Sequence, residues 1–251
     1  MEKFPGYLDL ALVLTTFITV FFFYKAAGKS RITLFILLGW LLLQAIVGLS
    51  GFYTVTDVMP PRFLFTILPP LLLIAVLFST ATGRKYIDRL NTKTLTILHS
   101  IRVPVEFILL GLFIHKGIPQ LMTFEGRNFD IIAGLTAPLI YYFGFVKNKL
   151  SPRLILIWNF ICLAMLINIV VIAILSAPFP FQQAGFDQPN IAVLYFPYVW
   201  LPACVVPLVL LSHFVSIKQL LNSQRKVALD NTLQSMKPPS AVIADTKETV
   251  L

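Results

Sequence analysis

His99, Arg102 and Glu106 lie at i, i+3 and i+7 in an otherwise apolar stretch running from Lys93 to Lys116. That spacing puts all three on one face of a helix, with Arg102 and Glu106 at the i, i+4 separation of an intrahelical ion pair. Ionisable groups at bilayer depth cost at least about 2.5 kcal/mol each, so they face a bundle interior or a cavity and mark a functional site. Pro104 lies within the same turns. It lacks a backbone donor and its ring opposes the carbonyl of Ser100, so a kink is expected beside the charges.

Two further polar residues fall at matching depth on other apolar stretches. At about 1.5 Å of rise per residue, His99, Asn159 and His213 each sit roughly 8 to 9 Å inside the boundary marked by the nearest basic loop. His99, Arg102, Glu106, Asn159 and His213 are therefore the expected ligand-binding set. Arg102 offers a planar donor fork for an anionic group, and Glu106 or the histidines could exchange protons. The same residues admit other chemistries. His99 and His213 could hold a metal ion with a carboxylate, although neither HExxH nor HxxxH spacing is present. As two imidazoles at equal depth on different helices, they could also clamp a haem. In the purely structural alternative, Arg102 and Glu106 neutralise one another while His99, Asn159 and His213 bond helix to helix.

Helices must position these groups in a bilayer. The 251 residues are 57% hydrophobic and 12% charged, with a mean hydropathy of +0.84, far from the composition of a soluble domain. Seven segments are long enough to cross about 30 Å of hydrocarbon: residues 7 to 24, 32 to 53, 63 to 83, 94 to 115, 129 to 147, 153 to 177 and 194 to 217. The expected fold is thus an all-α bundle of seven transmembrane helices over residues 1 to 222. Residues 223 to 251 are expected as a cytoplasmic amphipathic helix and a disordered tail.

Fifteen Lys and Arg follow spans 1, 3, 5 and 7, against four on the opposite side. The positive-inside rule then places the N-terminus outside and the C-terminus in the cytoplasm of a multi-pass protein of the cytoplasmic membrane. The net charge of +9 is explained by these short loops, which excludes nucleic acid as the expected partner and leaves the lipid bilayer and a small-molecule or lipid ligand. Cys162 and Cys204 both fall inside spans, as buried hydrophobes do. Lys218 ends span 7 instead of occupying its middle, unlike the retinal lysine of rhodopsin-type proteins.

The loops opposite the basic side hold two clusters. His115, Glu125, Arg127 and Asp130 surround the segment FEGRNFD, where Asn128 or Asp130 is expected to cap span 5 at the mouth of the bundle. The loop before span 7 carries Pro, Phe and Tyr and no basic residue; it is expected either as a functional lid over the bundle or as an aromatic belt anchoring the helix ends. At HSIRVPVE, FEGRNFD, FDQPN and YFPYVWLP the chain resembles an uncharacterised bacterial family of multi-pass membrane proteins, a resemblance that implies no known activity or cofactor. The leading expectation is binding or translocation of a small anionic or amphipathic ligand. A membrane-embedded enzyme acting on a lipid, with or without a metal, a haem-binding redox protein and a structural partner protein are the alternatives.

Overall fold

The computed structural model describes residues 4–235, so the expected disordered tail lies outside the described residues. The chain is 74% helical, and no strand occurs among the described residues. Among the described residues nine α-helices follow in order: α1 (Gly6–Ala26), α2 (Arg31–Leu49), α3 (Leu64–Ser79), α4 (Ala81–Arg89), α5 (Thr92–Leu98), α6 (Arg102–Ile114), α7 (Asp130–Ile140), α8 (Pro152–Leu175) and α9 (Val206–Ser235). A 3-10 turn, His99–Ile101, joins α5 to α6; π-helical turns extend α7 through Tyr141–Val146 and lead into α9 through Leu201–Val205.

Local chemistry starts several of these helices. Ser30, Thr80, Asn91 and Ser151 each accept a hydrogen bond from a first-turn amide, and Pro152 occupies the first position of α8, where its missing donor costs nothing. Prolines then redirect backbone bonds inside the bundle. Pro207 cannot donate to the carbonyl of Ala203, four residues back, and that carbonyl instead accepts from Trp40 Nε1 at 2.8 Å, which ties α2 to the start of α9. Pro104 works likewise on α6: the tightened turn His99–Ile101 lies one turn before it, so the expected irregularity takes the form of a 3-10 segment.

Among the described residues five helices are long and apolar enough to cross a membrane on their own: α1, α2, the joined α5 and α6, α8, and the segment Leu201–Arg225. The surface of α2 carries Ile32, Phe35, Leu42, Ile46 and Leu49, all exposed, a continuous apolar patch that only hydrocarbon solvates well. At the centre stand α5–α6 and α9. Half of the Thr92–Ile114 window and 61% of the Leu201–Arg225 window are buried inside the protein, against 17% for α2. Around them α1 packs on α5 and α6, α8 on α9, and α7 on α6 and the 3-10 turn.

The two remaining expected spans are shorter than the hydropathy pattern implied. α3 ends at Ser79 and the chain bends by 96° into α4. Thr80 caps the new helix, and a Cβ on Gly83 would come within 2.4 Å of the carbonyl oxygen of Leu77, so a glycine is required for the turn to close. α7 with its π-turn covers only Asp130–Val146. Beyond the basic end, α9 continues as one helix to Ser235. There Gln219 donates to the carbonyls of Ile87 and Leu90 at 2.8 and 3.0 Å, and Lys218 pairs with Asp88 at 2.8 Å. These contacts fix where α5 enters the bundle, and hence the depth of His99.

Candidate functional site

All five expected site residues are buried, none more than 3% exposed, and they belong to one connected network. Its centre is Arg102 at the start of α6. Arg102 Nε donates to Asp130 Oδ2 at 2.8 Å and Nη2 to Asp130 Oδ1, a two-pronged ion pair across α6 and α7. Nη2 also reaches the carbonyl of Cys162 on α8 at 3.1 Å, and Nη1 lies 3.3 Å from His213 Nε2 on α9. A guanidinium only donates. His213 Nε2 therefore accepts, and Nδ1–H donates to Asn159 Oδ1 at 3.1 Å. Asn159 in turn donates to the carbonyl of Ile155 at 2.9 Å, so each polar atom on this path is matched.

His99 completes the expected layer by stacking. Its ring lies 3.9 Å from that of His213 with 19° between the planes, and Trp158 meets its edge at 5.6 Å. Trp158 is itself held by a 2.9 Å bond to Thr136 on α7. Equal depth on α5, α8 and α9 thus brings His99, Asn159 and His213 together, and the fourth helix at the layer is α7.

Glu106 is not the partner of Arg102, which corrects the expectation from their i, i+4 spacing. One of its oxygens accepts from Asn128 Nδ2 at 2.5 Å, and Asn128 Oδ1 accepts the backbone amide of Asp130 at 3.1 Å. Asn128 and Asp130 are therefore not surface caps at the bundle mouth. The loop after α6 descends into the protein, burying Met122, Thr123, Asn128 and Asp130. Asn128 meets Glu106, eight residues before the end of α6, about 12 Å below that end at helical rise. Because α7 begins at that depth, it needs fewer residues to reach the basic side. His115, Glu125 and Arg127 stay exposed, and His115 only bonds the Gly111 carbonyl within its own turn.

Close helix contact holds this geometry. A Cβ on Gly134 would lie 2.7 Å from Val103 Cγ2 and 2.8 Å from the Val103 amide nitrogen, so α7 approaches α6 backbone to backbone directly beside Arg102. Over the far end of the bundle the loop before α9 forms a built cap. Gln188 donates to the carbonyls of Phe113 and Ile118 at 2.8 and 2.5 Å, the amides of Ile191 and Ala192 both bond Gly117, and Tyr198 bonds Asp9 on α1 at 2.6 Å.

Beneath that cap lies a cavity of about 290 Å³, walled by α3, α6, α8 and the start of α9, close to the lower end of the roughly 300–1,000 Å³ range of ligand pockets. Of its 22 lining residues only Glu106, Asp130 and Asn190 are polar. Leu71, Ile167, Val171 and Ile174 form its rim and are exposed on the outer face of the bundle. α3 packs on α4, α9 and the Leu201–Val205 turn, leaving its side toward α8 loosely filled. Leu71 and Leu210 also border a groove of about 720 Å³ that continues between α3, α8 and α9 to Lys218 and Arg225.

The donor set does not fit a metal or a haem. Among the described residues no three His, Cys, Asp or Glu side chains are grouped to hold a metal ion. Imidazoles stacked face to face cannot bind axially from opposite sides of one porphyrin, and His213 has one nitrogen against a guanidinium and the other on Asn159. Asp130, Asn128 and Asn190 were not expected as site residues from the sequence. The available signal was an Asn and an Asp alternating with Phe129 just before an apolar span.

Comparison with curated proteins and with solved structures gives no significant match. A family model does match, over residues 59–221, more than half of the chain and enough to include every member of the network. The chain therefore belongs to the family described as Domain of unknown function (DUF8737).

Proposed function

We propose that this protein crosses the cytoplasmic membrane seven times, with its N-terminus outside, and binds a small amphipathic ligand taken from the bilayer into the cavity between α3 and α8. The Lys and Arg asymmetry supports the orientation. The short α3 and α7 serve as the remaining two crossings. α3 is continued by the bent α4, and α7 is met by a loop that covers the rest of the distance inside protein, where irregular backbone is tolerated.

The observation that carries the ligand reading is the cavity: apolar walls, an exposed apolar rim, and a few convergent polar groups at its closed side. Arg102 is neutralised by Asp130, so recognition of an anion has no free cation behind it, and the amphipathic class is preferred. Binding is preferred to translocation because the network next to the cavity is a closed plug, with His99, Asn159 and His213 wholly buried. Ala173→Phe, placed in the cavity wall, tests the reading. Native mass spectrometry of the wild type is expected to show a retained amphiphile that the variant lacks. Equal lipid retention by both would overturn it.

A further inference from the structure

Within the cavity, two acceptor atoms are left over once every protein hydrogen bond is made. Glu106 lines the cavity, is 1% exposed, and has Oε1 on Asn128 while Oε2 bonds nothing. Asn190, on the cap and also 1% exposed, donates Nδ2 to the carbonyl of Ala173 at 3.1 Å. A carbonyl only accepts, which fixes the amide orientation. Asn190 Oδ1 is thus the unbonded atom of that side chain. The third polar lining residue, Asp130, spends both oxygens on Arg102. The cavity wall therefore offers two unbonded side-chain oxygens, a carboxyl oxygen on α6 and an amide oxygen on the cap, and no unbonded side-chain nitrogen.

Resting on the cavity reading above, we infer that Glu106 Oε2 is the recognition atom for the ligand's head, and that this head is a hydrogen-bond donor of the primary-amine class on an apolar chain. A carboxylate head would add a third buried carboxyl group beside the single guanidinium of Arg102, and an ester or ketone carries neither a donor nor a charge to offer Glu106. An alcohol satisfies one acceptor. An ammonium has three donors and also brings a positive charge to the second of two carboxyl groups, since the guanidinium of Arg102 is held by Asp130 and not by Glu106. The head sits under the cap, and the chain follows the apolar walls past Leu71 and Leu210 into the adjoining groove.

The test compares decylamine, decanol and decanoate as probes, binding to the full chain in phosphatidylcholine nanodiscs, with Ala173→Phe nanodiscs subtracting partition into lipid. Wild type is expected to bind decylamine about tenfold or more tighter than decanoate, the scale of one charge-assisted hydrogen bond, with decanol between. Glu106→Gln is expected to reduce the amine-over-alcohol preference to about threefold or less while decanol still binds, so loss of folding is told apart from loss of recognition. Three probes bound equally by wild type and rejected by Ala173→Phe would keep the cavity and overturn the head-group assignment. Signals unchanged by Ala173→Phe would overturn the cavity itself.

Discussion

The buried network has two sides that look alike in residue type and differ in completeness. On the Arg102 side, Asp130, His213, Asn159 and the carbonyls of Cys162 and Ile155 match one another, and His99, with both ring nitrogens unbonded, is sealed by stacking on His213. On the Glu106 side, Asn128 satisfies one oxygen, and the second faces a cavity shared with an equally unsatisfied Asn190. Burial and charge do not separate these regions, since both carry carboxyl groups at most 5% exposed. What separates them is that the Arg102 pair is matched within the protein, whereas the open oxygen of Glu106 faces a cavity that His99 does not line. A charge that is fully matched acts as a bundle clamp, while an acceptor that is left open onto an apolar space calls for a ligand.

Substitutions that strip one partner from the matched side should have the largest effect. Asp130→Ala leaves the Arg102 guanidinium buried and uncompensated, and is expected to cost about 3–5 kcal/mol, read as a collapse of thermal stability in detergent. Replacing both partners together, Arg102→Met with Asp130→Leu, should recover most of that loss, because two apolar groups strand no charge. Next comes Gly134→Ala. Its methyl would strike the Val103 backbone, and separating α6 from α7 is expected to cost about 1–3 kcal/mol, with the Arg102 pair loosened as well. Asn159→Leu removes the acceptor of His213 Nδ1–H and should cost about 1–3 kcal/mol in the same assay.

Glu106→Gln sharpens the comparison from the other side and should be the mildest. It retains an oxygen for Asn128, so stability is expected to change by about 1 kcal/mol or less, even though the amine preference of the cavity is expected to fall to about threefold or less. A large loss of stability from this change would place Glu106 among the clamp residues.

Much of this arrangement was legible in the sequence. Apolar length placed α1, α2, α5–α6, α8 and α9, and helical rise put His99, Asn159 and His213 in one layer before any contact was known. The partner of Arg102 was not legible. Glu106 had the right helical spacing, whereas Asp130 stood 28 positions away at the edge of an apolar run, where hydropathy assigns a residue to the mouth of the bundle. Only the descent of the intervening loop brings it to Arg102, and that descent is encoded in tertiary contacts such as Asn128 with Glu106 rather than in a periodic pattern. The bend at Thr80 was hidden for a related reason: Ala81, Thr82 and Gly83 extend the uncharged run of α3, and nothing in composition marks the turn. Asn190 lay in a loop rich in turn residues, so its role emerges only from the cavity it closes.

A pair of double-mutant cycles on thermodynamic stability, Arg102 with Asp130 and Arg102 with Glu106, tests the division between clamp and ligand site most directly. The account predicts a coupling energy of about 2–3 kcal/mol for Arg102 with Asp130 and about 0.5 kcal/mol or less for Arg102 with Glu106. Coupling to Glu106 that equals or exceeds coupling to Asp130 would contradict it, returning Glu106 to the ion pair and leaving the cavity without its open acceptor.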